Sequence, residues 1–202
     1  MAAVKHWERF YVLISLFITW SSAADVCSDG LGIKCPAADA CHISLTVGAS
    51  TPACGTSVPL SAWSSTPPGV SLVGCNFPDG KKLGLLMTDP DAPNCQHPKA
   101  KYWLHWLALN VGAGDTPDFS HADTIASFAA PTPPSASNGW PPFHRYQIIV
   151  FAYTEVKESI TLNGVKGLMA DRSNFLSGEE KFKDLFQGYE VLAETEVRTK
   201  RD

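Results

Sequence analysis

The 202-residue chain is 45% hydrophobic and 18% charged, with a formal net charge of -4 and no low-complexity tract. That composition suits one globular domain with enough apolar side chain to bury a core. The acidic balance and the lack of a long basic run exclude nucleic-acid binding by phosphate neutralisation.

In chain order, residues 1–24 read as a signal peptide. Lys5 and Arg9 precede an apolar run, Phe10 to Trp20, and small residues follow at Ser21, Ser22, Ala23 and Ala24. The run is roughly eleven residues, short of the ~20 that a membrane span needs. Cleavage after Ala23 or Ala24 is expected over an uncleaved anchor, so the protein is expected to be secreted or lumenal, with no transmembrane span. All six cysteines follow: Cys27, Cys35, Cys41, Cys54, Cys75 and Cys95. An even count behind an export signal predicts disulfides, in any of fifteen connectivities. No CxxC occurs, which argues against a structural zinc site, and no Asn-x-Ser/Thr acceptor is present.

The domain is expected over residues 25–190, with a Cys-rich part at 25–60 in which 42–47 alternates weakly as a strand. A turn-rich stretch, 63–69, precedes an expected strand at 70–75. Pro78-Asp79-Gly80 makes a turn, and the apolar run 83–88 stops before Pro90. Residues 102–111 carry the clearest β pattern: Trp103, His105, Leu107, Leu109 and Val111 on one face, Leu104, Trp106 and Ala108 on the other. Both faces are apolar, as in a central strand of a sandwich. Residues 112–142 read as loop with a helical turn near 121–128. Residues 143–153 form a second strong strand with His144, Tyr146, Ile148 and Val150 on one face. Ser177 and Glu180 are set as a capping box, and Phe182, Leu185, Phe186 and Tyr189 follow at helical spacing, a core-facing stripe. Residues 191–202, with Arg198, Lys200 and Arg201, read as a polar, solvated tail. The expected fold class is therefore mainly β, an antiparallel sandwich with a few short peripheral helices, one near the C-terminus.

Three segments carry candidate chemistry. Asp89-Pro90-Asp91-Ala92-Pro93 is stiffened by two prolines and places Asp89 at a strand end; the plain alternative is an Asp-Pro turn. His105 and His144 each lie on an apolar strand face beside a large aromatic, Trp103 or Tyr146. Singly, each histidine reads as a hydrogen-bonded core residue. Together with Asp89, which favours their protonated form, they can hold a phosphate or carboxylate by charge-assisted hydrogen bonds, with aromatic and proline walls. Arg145 points the other way and is expected to pair with an acid.

These motifs in this order, Asp89 to Pro93, then Trp103-x-His105, Pro133-Pro134 and His144-Arg145-Tyr146, resemble the phosphatidylethanolamine-binding family, also called the Raf-kinase-inhibitor family. The resemblance runs over about residues 43–190 and looks like a secreted branch. It implies a sandwich of a large and a smaller antiparallel sheet, and a pocket for phosphate or the phosphoethanolamine headgroup. It assigns that pocket to Asp89, Pro93, Trp103, His105, Pro134, His144 and Tyr146. It also implies a regulator or inhibitor that meets a protein target. Departures are Ala100 where the family often has tyrosine, Ala129-Ala130-Pro131-Thr132 in place of a glycine-rich approach, an insertion at 138–142, and no Pro-Val-Ala-Gly stretch after Tyr189. A monomer is expected, with no cofactor, no metal and no catalytic residue. Two alternatives are a metal-dependent hydrolase using Asp89, His105 and His144, and a Cys95-histidine nucleophile, which needs a free thiol.

Overall fold

β-Branched and aromatic residues bounded by Gly, Pro and Asp turns make strands the dominant element. The computed structural model describes residues 33–37, 39–77, 79–93, 95, 102–112, 117–135, 143–157, 172–173, 175 and 179–201. The expected signal peptide, Cys27, Ala100, the 138–142 insertion and Ser177 lie outside the described residues. In chain order the elements are β1 (His42–Thr46), β2 (Gly69–Val73), β3 (Lys82–Asp89), β4 (Trp103–Gly112), β5 (Asp123–Ala126), β6 (Phe143–Tyr153), β7 (Glu155–Val156), α1 (Glu179–Asp184), β8 (Phe186–Gln187) and β9 (Glu190–Lys200). A five-stranded antiparallel sheet runs β5-β4-β3-β6-β9, and β1-β2 and β7-β8 form two-stranded sheets.

Strands β3, β4 and β6 are apolar on both faces because both faces are covered. On one face Ile43 and Leu45 of β1 pack on Leu85, Met87, Trp106, Ile148 and Val150. On the other, Phe182, Leu185 and Phe186 from the α1 region cover Leu86, Leu107, Ile149 and Phe151. This is the expected sandwich with a helix outside it. Two disulfides close the smaller layer. Cys41–Cys75 links the paired ends of β1 and β2. Cys35–Cys54 holds the segment after Cys54 against the outer edge of β9, where Gly55 N donates to Glu196 O and Val58 N to Arg198 O. Cys95 is disulfide-bonded as well.

Three expectations are corrected. Residues 121–128 do not form a helical turn. A 3-10 turn at Phe119–His121 leads into β5, which satisfies the outer backbone groups of β4. The helical spacing of Phe182 to Tyr189 is helix only to Asp184. Phe186 pairs with Val156, and Gly188 (φ 64) supplies the left-handed conformation that turns the chain into β9. Those aromatics are core, as expected. Residues 191–202 are not a tail: β9 pairs along the length of β6, with Ala193, Thr195, Val197 and Thr199 buried on alternate positions.

The parity of β4 is also broken. Thr88 faces Leu104 and Met87 faces Trp106, so His105 is an extra residue, a β-bulge. The bulge leaves His105 beside Tyr146 and puts Trp106 and Ala108 on that same side. Leu107 and Leu109 join Leu104 on the opposite face instead. A second irregularity at Asn110 (φ 61) returns Val111 to the first side.

Candidate functional site

The antiparallel order brings four chain segments to one end of the sheet. β3 ends at Asp89, paired with Trp103 at the start of β4. β6 starts beside it, and Phe143 and His144 pair with Lys200 and Thr199 at the end of β9. There the structure forms a cavity of about 420 Å³ lined by Asp89, Ala92, Pro93, Trp103, His105, Thr132, Pro134, His144, Tyr146 and Arg201. All seven residues assigned to a pocket by resemblance line this one cavity.

The acidic loop is tied down by two buried pairs. Asp89 Oδ2 lies 2.7 Å from His144 Nδ1, and Asp89 Oδ1 accepts from Asp91 N at 2.7 Å. Asp91 in turn accepts from Arg145 Nη2 (2.6 Å), Nε (2.9 Å) and the Arg145 backbone N–H (2.8 Å). Alternation explains the division: His144 and Arg145 lie on opposite faces of β6, so Asp89 meets one and Asp91 the other. The expected structural role of Arg145 is met, with Asp91 as its acid, and these bonds raise its pKa against the opposing pull of burial.

The two histidines differ. Burial alone pulls His144 down, but its hydrogen bond to Asp89 and the charges of Asp89 and Asp91 outweigh that, so its pKa is raised. A neutral or charged His144 thus donates Nδ1–H to Asp89. His105 Nδ1 lies 2.6 Å from the Ala129 carbonyl, which can only accept, so Nδ1 carries the proton. Burial, more than anything else, lowers its pKa. Neutral His105 therefore keeps an acceptor at its second ring nitrogen. The two histidines, both expected to favour the protonated form, thus shift in opposite directions: His144 toward its protonated form and His105 toward its neutral one.

Tyr146 is fully buried, with its ring edge-on to His105 at 5.1 Å, and its hydroxyl has no hydrogen-bond partner. Burial raises its pKa, so it stays a neutral donor. Trp63 backs the cavity, its ring 6.1 Å from Tyr146 and its Nε1 donating to Thr199 Oγ1 at 2.9 Å. Arg172 pins the start of β4 through the Leu104 and His105 carbonyls and reaches Ser127 O. No periodicity or motif marks Arg172 or Trp63 in the sequence. Arg201 reaches the cavity because the charged segment before it is a strand and not a solvated tail. Among the described residues no three His, Cys, Asp or Glu side chains converge as metal ligands, and none of the cysteines is free. Of the residues named for the alternatives, Asp89 and His144 pair with each other, His105 bonds the Ala129 carbonyl, and Cys95 is in a disulfide.

The family model described as phosphatidylethanolamine-binding protein matches residues 42–183. The chain belongs to the phosphatidylethanolamine-binding protein family. It is 30% identical over 91 residues to Protein MOTHER of FT and TFL1 homolog 2 of Oryza sativa subsp. japonica, covering 45% of each chain. It is 35% identical over 71 residues to Putative odorant-binding protein A5 of Drosophila melanogaster, covering 35% of this chain and 30% of that one. The chain thus spans less than half the length of these curated relatives. Among solved structures, a phosphatidylethanolamine-binding protein from Plasmodium falciparum superposes with TM-score 0.58 at 15% identity, covering 87% of this chain and 90% of that one. A carboxypeptidase Y inhibitor, solved with its cognate proteinase, gives TM-score 0.58 at 15% identity, covering 81% and 84%. These structural likenesses establish the fold. In this phosphatidylethanolamine-binding protein family member the second approach to the cavity, residues 129–134, keeps Pro134 and Thr132 at the wall without glycines.

Proposed function

We propose that this chain is an exported, non-enzymatic binding protein whose cavity takes an anionic group, such as phosphate, a phosphoethanolamine headgroup or a carboxylate ligand. The observation that carries this reading is the unpartnered hydroxyl of Tyr146, buried at a cavity whose other polar groups are already oriented. A buried hydroxyl left unpaired costs about 1–3 kcal/mol, and an anionic oxygen offered to it recovers that cost. Trp103 and the prolines supply the apolar wall usual for a small-ligand site. Export is supported by the signal-like first residues and by disulfides, which persist in oxidising compartments. A non-catalytic role is supported by Cys95 being disulfide-bonded, which removes the thiol that a cysteine–histidine nucleophile needs.

The test is a calorimetric titration of the oxidised protein with phosphoethanolamine, beside Tyr146→Phe and His144→Ala. Saturable binding by wild type, weakened in Tyr146→Phe, is the expected result. No heat with folded wild type would overturn the reading. Regulation of a protein target is a second reading, favoured by the fold shared with the carboxypeptidase Y inhibitor; inhibition of that proteinase by the purified chain would support it.

A further inference from the structure

The charges around the cavity do not by themselves welcome an anion. Asp89 contributes a negative charge, and the positive charge of His144 is spent on it at 2.7 Å. Arg145 is spent in the same way on Asp91. His105 directs its Nδ1–H to the Ala129 carbonyl, and burial favours its neutral form. The remaining cationic side chain on the lining is Arg201. It follows β9 directly, is exposed, and is held by a main-chain bridge to Ser135, just past Pro134 on the cavity wall. Among the described residues its guanidinium makes no ion pair with an acid. Arg198, on the same strand, is 3.7 Å from Glu196 and lies over the Phe143 ring, and it does not line the cavity.

We infer that Arg201 is the residue that confers anion selectivity on this cavity, its guanidinium pairing with the free oxygens of a phosphate group while Tyr146 donates to the inner oxygen. This rests on the cavity being a binding site for anions. A planar fork of donors matches phosphate oxygens in a way that a point charge does not. A cation on the rim of an apolar cleft also attracts an anion from solution, an effect that salt screens. The neutral acceptor of His105 fits a ligand with a donor of its own, as a protonated phosphate oxygen or an ammonium supplies. The ligand class is thus a phosphate group, either free (inorganic phosphate or a monoester) or as the phosphodiester of a lipid headgroup.

The experiment titrates the oxidised full chain with inorganic phosphate, phosphoethanolamine and ethanolamine. It adds flotation with vesicles of phosphatidylcholine alone or with phosphatidylethanolamine. The variants are Arg201→Gln, Arg201→Lys, Tyr146→Phe and Lys81→Gln. Lys81 pairs with Glu190 at the far end of the sheet and serves as a control for net charge. Arg201→Gln is expected to weaken phosphate and phosphoethanolamine binding roughly ten-fold or more, with a shallower salt dependence. Arg201→Lys is expected to fall between, and Lys81→Gln to bind as wild type does. Binding to vesicles only when phosphatidylethanolamine is present identifies the lipid source; binding to the soluble esters alone identifies the free one. Wild-type affinity in Arg201→Gln, with loss in Tyr146→Phe, would overturn the inference and leave the anion cavity standing. An equal loss in Lys81→Gln would also overturn it, because net charge would then suffice. If wild type binds no phosphate at all, the cavity reading falls and this inference falls with it.

Discussion

Replacing Asp91 with alanine removes an acceptor that serves three donors on one residue. The Arg145 side chain is 10% exposed and that of Asp91 2%, so the pair is out of water. Alanine removes the Asp91 counter-charge from a buried guanidinium and takes the acceptor from the Arg145 backbone N–H. Breaking one side of such a pair costs about 3–5 kcal/mol, a large share of the roughly 5–15 kcal/mol that holds a domain folded. The exposed pair Lys81–Glu190, with Glu190 54% exposed, is the internal comparison: Lys81→Ala is expected to cost under about 1 kcal/mol. Urea unfolding of the oxidised protein, followed by tryptophan fluorescence, measures both. Asp91→Ala/Arg145→Met, which removes both charges, should recover much of the loss. An Asp91→Ala midpoint within 1 kcal/mol of wild type would refute the claim that this pair anchors the Asp89 loop.

Three further outcomes are expected. His105 has a lowered pKa, so its unfolded form takes up a proton first as pH falls below 6.5, and stability drops there. His144 has a raised pKa, so its contribution is complete below 6.5 and is lost as pH rises through the raised value. Urea midpoints across pH should lose the acid-side slope in His105→Gln and the alkaline-side slope in His144→Asn; unchanged slopes contradict the assignments. Gly84→Ala puts a Cβ 2.3 Å from the Phe151 ring, within the packed aromatic cluster. It should destabilise by about 1–3 kcal/mol in the same assay, and a neutral result would mean that Phe151 is free to shift. Cys35→Ser/Cys54→Ser should cost roughly 3 kcal/mol and speed hydrogen exchange at Gly55 and Val58, whose amides bond to β9. Unchanged exchange would show that the strap holds without its disulfide.

Much of the candidate site was legible because short-range signals survive folding. Asp89 sits at a strand end because Pro90 follows it, and His144 and Tyr146 share a face because a regular strand alternates strictly. Parity failed where the ladder itself is irregular. Nothing in Trp103-Leu104-His105-Trp106 reveals that His105 is a bulge, since the extra residue exists only relative to Met87 and Thr88 on the neighbouring strand. For β9 the signal is present, in alternation of Glu194, Glu196, Arg198 and Lys200 with the buried Ala193, Thr195, Val197 and Thr199, but the charges mask it. A strand with one face open to water looks polar when judged by composition.

The sequence by itself determined that this is a β protein with an apolar core, that its cysteines pair, and that the Asp89 loop and the two histidine strands belong to one family's motif. These are properties of local pattern: period, turn chemistry and residue type. Tertiary structure decided which acid meets which base, which histidine is shifted toward its protonated form, and that Arg201 reaches the cavity. Each of those depends on atoms far apart in the chain coming within hydrogen-bond range out of water. Asp89 and His144 are 55 positions apart and 2.7 Å apart in the fold, and burial there sets protonation states that no sequence spacing encodes.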